Sequence, residues 1–156
     1  MKKLLLILFS LFFLSSPSAS NDNSPSITVK LLSYQQDSSH CNLTYSISNN
    51  SWGSIRGLFI RTEAFDDRGV EIDGYAMGDY ISPFDAYFDP LISIPVGGIA
   101  KSDDLMYKGK CKYIEIINVL EVDEKNCNIR MMPDEATCSN IMVYKSNIQH
   151  ITLRKK

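Results

Sequence analysis

The chain is 156 residues long, 44% hydrophobic and 22% charged, with a net charge of −2. That length suits one domain with a single core. A mildly acidic balance with interspersed charges lacks the basic footprint needed to follow phosphates, which excludes nucleic acid as the expected partner.

Lys2 and Lys3 precede an apolar run from Leu4 to Leu14, and Ser15-Ser16-Pro17-Ser18-Ala19-Ser20 follows. These are the basic, apolar and small-residue parts of a secretory signal peptide. The run is too short to span a bilayer, which takes ~20 apolar residues. Residues 1–20 are therefore expected to be removed after Ser20, leaving 21–156 as one domain. The mature chain would carry fourteen basic against eighteen acidic side chains, a net charge of −4. No Cys stands at the cleavage point to take a lipid anchor, and no later apolar stretch is long enough for a transmembrane anchor. The expected location is exported, either periplasmic or secreted.

After a polar lead-in, Ile27, Val29 and Leu31 alternate with Thr28 and Lys30 at strand period. Cys41, Leu43, Tyr45 and Ile47 then alternate with Asn42, Thr44, Ser46 and Ser48, which predicts a strand with one buried and one wet face. Asn49 to Ser54 supplies turn chemistry. Ile55 to Phe65 reads as the next strand, with Leu58, Ile60, Thr62 and Ala64 on one side. Asp66-Asp67-Arg68-Gly69 predicts a four-residue hairpin connection before Val70 to Ile72.

From Asp73 to Pro90 the period is lost, and a long loop with room for one short strand is expected. Leu91 to Ile94 and Ile99 to Tyr107 flank a Pro95-Val96-Gly97-Gly98 turn. Cys111 to Asp123 is apolar on both faces and predicts a central strand. Ile141 to Leu153 reads as a last strand or hairpin. About seven short strands without a sustained helical stripe make this an all-β chain, a β-sandwich by the spacing of its turns.

Cys41, Cys111, Cys127 and Cys138 are the four cysteines. An even count in an exported chain predicts two disulfides, with three pairings open. Zinc would want closer pairs than this spacing provides. Cys41 and Cys111 open strands that face each other in such a sandwich, and Cys127 and Cys138 flank a short polar loop. Those positions favour Cys41–Cys111 and Cys127–Cys138.

Three stretches carry a family resemblance: Tyr45 to Asn50, Ile60 to Ile72, and Ile94 to Gly98. A strand ending in Asn, a strand turning at Asp-x-x-Gly and a Pro-x-Gly turn follow in that order. From Asn42 to Val119 the chain resembles the small immunoglobulin-like or fibronectin type III-like domains of bacterial envelope proteins, the FxLYD-type group among them. The resemblance implies an immunoglobulin-like sandwich and leaves function open. Two departures separate the chain from antibody domains. Trp52 sits among turn residues, and Tyr107 stands four residues before Cys111 rather than two.

His40 and His150 are the only histidines, both in polar surroundings. No nucleophile elbow, His-Glu-x-x-His or phosphate-cradling glycine loop occurs. An enzyme is not expected, and no cofactor or metal is implied. Asp66, Asp67, Glu71 and Asp73 form a short acidic run for which calcium is the less favoured reading, since it does not match the EF-hand template and a hairpin turn explains Asp66 and Asp67 without metal. Asn42-Leu43-Thr44 and Asn49-Asn50-Ser51 fit the glycosylation sequon, which matters only in a eukaryotic secretory pathway.

The expected binding loop holds Tyr75, Tyr80, Phe84, Tyr87 and Phe88 beside Asp79, Asp85 and Asp89. Aromatic side chains bury large areas at interfaces for little entropy. The expected function is a non-enzymatic binding module for a protein partner at the cell envelope or a host surface. The alternatives are a structural subunit or an edge-strand homodimer of a surface or periplasmic assembly and, less favoured, a metal-dependent hydrolase.

Overall fold

The computed structural model describes residues 24–56, 58–74, 80–81, 93–122, 128–129 and 137–156. Its strands are β1 (Ser26–Gln36), β2 (His40–Asn50), β3 (Ile55–Arg56), β4 (Ile60–Phe65), β5 (Glu71–Ile72), β6 (Tyr80–Ile81), β7 (Ile99–Lys108), β8 (Ile116–Val122), β9 (Asn128–Ile129), β10 (Met142–Ser146) and β11 (Thr152–Lys155). The first sheet has the order β10-β1-β2-β7, and the second β11-β8-β4-β5 with β6 also on β4. β3 and β9 form a separate pair. Among the described residues, no helix is long and apolar enough to cross a membrane.

The alternation in β1 and β2 produces the core. Ile27, Val29 and Leu31 of β1 and Cys41, Leu43, Tyr45 and Ile47 of β2 are fully buried, in one cluster with Ile60, Ala64, Ile117, Val119 and Leu153 of the second sheet. Each fully buried Leu or Ile contributes roughly 1.5–3 kcal/mol over its exposed state. β8 lies between β4 and β11, the central place its apolar composition predicts. The two sheets are joined inside the core by a 2.6 Å hydrogen bond between the Thr62 hydroxyl of β4 and the Tyr107 hydroxyl of β7.

The turns follow their residues. Gly98 N–H donates to the Pro95 carbonyl at 2.8 Å, and Gly97 holds φ at 76°. A Cβ on Gly98 would lie within 2.9 Å of the Pro95 ring and carbonyl, so the turn requires glycine there.

Six expectations are corrected. Ile55 to Phe65 is not one strand, because β3 ends at Arg56 and β4 begins at Ile60 in a different sheet. Cys111 does not open a strand. It lies in a 3-10 turn (Cys111–Tyr113) on the crossover between the sheets, and β8 begins only at Ile116. The outer face of β2 is not freely wet. β2 is an inner strand flanked by β1 and β7, so Asn42, Thr44 and Ser48 are half-buried and Ser46 is buried. Asn49 and Asn50 pair with Ile27 and Ser26, so they extend β2 instead of starting the turn. The hairpin connection is five residues, because Val70 belongs to the turn and its carbonyl accepts from Asp66 N–H. The last stretch is not a hairpin. β10 runs parallel to β1 and β11 parallel to β8, so residues 147–151 carry the chain from one sheet to the other.

Candidate functional site

One end of the fold is organised around the Cys41–Cys111 disulfide, with a Cα separation of 4.8 Å. Gln36, at the end of β1, donates from its amide to the carbonyls of His40 (2.8 Å) and Gly109 (3.2 Å). Its Oε1 accepts from Cys111 N–H at 2.7 Å. One side chain thus ties β1, the β1–β2 turn and the crossover together. In that turn, Asp37 Oδ1 accepts from the backbone N–H of Ser39 and of His40. Those two bonds favour the charged form and hold the Asp37 carboxyl below its ordinary range.

Both histidines belong to this end. His40 Nδ1 lies 2.9 Å from the Ser39 hydroxyl, and His150 Nε2 lies 3.3 Å from the Cys111 carbonyl. The His150 ring also meets Tyr34 edge-on, with centroids 5.7 Å apart.

Beside it lies an open groove of about 530 Å³, lined by Asp66, Arg68, Ile72, Lys108, Lys110 and Tyr113 among others. Asp66 is 8% exposed and its carboxylate is fully engaged. Oδ2 accepts from the Arg68 guanidinium at 2.7 Å, and Oδ1 from the N–H of Arg68 and of Val70. The guanidinium first, and then the Val70 N–H, hold this carboxyl below its ordinary range. Asp73 pairs with Lys108 at 3.3 Å. Asp66 and Asp73 are therefore held by hairpin donors and cations. Among the described residues no group of three His, Cys, Asp or Glu side chains could hold a metal.

The opposite end is organised around Asn49. Its Nδ2 donates to the carbonyls of Gly53 and Ile94, both at 2.8 Å, and its Oδ1 accepts from Ser51 N–H and the Ser51 hydroxyl. Its backbone N–H and carbonyl bond Gly98 and Gly97. With its amide buried and fully used, the sequon at Asn49 is closed to modification in the folded chain.

This hub anchors the far side of the expected binding loop. Gly74 bridges Tyr107 where the segment departs, Tyr80–Ile81 pairs with Ile60–Arg61 midway, and Ile94 bridges Ile55 where it returns. Tyr75, Phe84, Tyr87 and Phe88 lie outside the described residues, as does the signal peptide expected at residues 1–20. Tyr80 is placed by its backbone in β6. Of the remaining cysteines, Cys138 is buried and disulfide-bonded, and Cys127 lies outside the described residues.

Sequence reasoning missed Gln36, the Thr62–Tyr107 bond and the Asn49 hub. Each joins positions distant in sequence, and only Asn49 carried a signal, as an Asn in an Asn-Asn-Ser run next to a strand. No family model, curated protein or solved structure matches the chain.

Proposed function

We propose that this chain is an exported, non-enzymatic binding module of immunoglobulin-like build, and that its aromatic segment from Tyr75 to Phe88 grips a protein partner at the cell envelope or a host surface. The observation that carries the reading is the anchoring of that segment at Gly74, Tyr80–Ile81 and Ile94 on a framework braced at both ends. Loops held by a rigid scaffold are where binding residues concentrate, and restricting a loop before contact lowers the entropy cost of binding.

The strand order supports the immunoglobulin-like part. β1-β2-β7 corresponds to A-B-E of such domains, and β11-β8-β4-β5 to G-F-C-C′. Two differences set the chain apart: β11 runs parallel to β8, and β10 is added outside β1.

The test replaces Tyr80, Phe84 and Tyr87 together with Ala and measures two quantities: capture of a partner from envelope or host-surface extracts, and the thermal midpoint. Capture is expected to be lost, since one anchor aromatic is worth about 2 kcal/mol or more at an interface, with the midpoint nearly unchanged. A destabilised variant whose folded fraction still captures the partner would show that the rings are core, and would end the proposal.

A further inference from the structure

The register of the first sheet draws lysines from three strands into one line. Lys30 of β1 is directly opposite Lys145 of β10 and Ser46 of β2, and Ser46 is directly opposite Lys101 of β7. The order across the sheet is Lys145–Lys30–Ser46–Lys101. All four positions point away from the core, because their neighbours Val29, Leu31, Tyr45, Ile47, Ala100 and Tyr144 pack into it. With strands about 4.8 Å apart, the row spans roughly 14 Å.

Like charges directly opposite each other in a sheet are destabilising. None of the three lysines forms an ion pair with a described side chain. The nearest acids of β7, Asp103 and Asp104, occupy the bulge opposite Thr44, beyond the row. The row itself thus holds three lysines and no acidic residue, on a protein whose net charge is negative.

The next row, about 7 Å away along the strands, reads Val143–Thr28–Ser48–Ile99. Val143 is 39% and Ile99 65% exposed, so apolar surface flanks the lysines at both edges of the sheet. At the β10 edge the two rows run into a depression of about 560 Å³, lined by Thr28, Val143 and Lys145 together with Pro25, Ile141 and Met142. This concavity has an apolar side and a cationic rim.

We infer that this sheet face docks an acidic protein segment that also carries apolar side chains, its carboxylates meeting Lys145, Lys30 and Lys101 and an apolar side chain entering the depression beside Val143. Charge complementarity requires an anionic partner. The exposed Val143 and Ile99 favour a protein over a sulfated glycan, which offers them little apolar surface. A patch this small lies well below the ~800 Å² per partner of a stable complex, so the affinity expected is micromolar or weaker. The face is separate from the aromatic segment, and the two can fail independently.

The exported chain is titrated with a random glutamate–tyrosine copolymer, with polyglutamate, with heparin as a sulfated glycan and with phosphatidylglycerol-containing vesicles. The copolymer is expected to bind most tightly, and more weakly as salt rises. Combined Lys30→Gln, Lys101→Gln and Lys145→Gln should weaken it about tenfold or more, at up to about fivefold per exposed charge. The same variant should melt no lower than the parent, because a like-charge row has been relieved. Arg at all three positions should retain binding, and Lys110→Gln with Lys112→Gln should leave it unchanged. Val143→Ser with Ile99→Ser should erase the preference for copolymer over polyglutamate. The variant lacking Tyr80, Phe84 and Tyr87 should bind the copolymer undiminished. The inference is overturned by heparin or vesicles binding as tightly as the copolymer, by copolymer binding that ignores the three lysines, by no copolymer binding, or by lysine-dependent self-association in sedimentation, which would give the face to a second copy.

Discussion

The two ends of β2 are braced by different chemistry for the same task. At Cys41 the strand is bonded covalently to the crossover at Cys111, seventy residues away. At Asn49 it is held by one buried amide that reaches the turn at Gly53 and the returning chain at Ile94. A disulfide stabilises largely by restricting the unfolded chain. A buried amide stabilises only while its donors and acceptors are matched, and removing it takes a donor from each carbonyl it reaches. The first brace acts on the whole folding equilibrium, and the second on one local register.

Breaking the covalent end should have the largest effect. Cys41→Ala with Cys111→Ala opens a loop of seventy residues, worth about 4 kcal/mol by chain entropy. Calorimetry should show a fall in the thermal midpoint of roughly 15 °C. A fall of only one or two degrees would mean that the Gln36 bonds to His40, Gly109 and Cys111 hold that end without the disulfide.

Breaking the amide end should cost less and act more locally. Asn49→Ala leaves the Ile94 and Gly53 carbonyls without their side-chain donor and should destabilise by about 2–3 kcal/mol. Hydrogen exchange should speed up at residues 94–98 before it changes near Gln36. Uniform acceleration across both ends would show that the hub supports the whole sandwich rather than one register.

The contrast between the ends also explains what could be read from the sequence. Cys41 and Cys111 were legible because cysteine in a chain expected to be exported has few other uses. The inward sets of β1 and β2 were legible because a period of two is local. So were the Gly97-Gly98 turn and the Asp66 hairpin, whose residues interact with near neighbours. Asn49 read as an ordinary turn former, since nothing nearby announces a partner forty-five residues on. The split of β10 and β11 between the two sheets was not legible, because both read as apolar alternation and sheet choice is decided by packing. The lysine row was invisible for the same reason. Lys30, Lys101 and Lys145 become neighbours only through cross-strand register. Of the candidate binding loop, the sequence offered its composition, and the structure adds where its ends and its middle are fastened.

The smallest expected effect comes from acid. The Asp66 carboxyl lies below its ordinary range in the folded chain because Arg68 and the Val70 N–H bind its charged form. In the unfolded chain the same group returns to about 3.9. Between those two values the unfolded state holds more protons, so stability rises with pH there. The contribution is therefore complete above about pH 5, begins to fall near pH 4 and is lost as the pH drops through the folded value. Asp37 contributes with the same sign from the disulfide end, through its bonds to Ser39 and His40. Asp66→Asn should flatten part of the acid slope, and adding Asp37→Asn should flatten it further. Denaturant melts at pH 3, 4, 5 and 7 measure that slope directly. An unchanged slope in Asp66→Asn would mean that the hairpin frays in solution and that the groove it borders lacks the shape described.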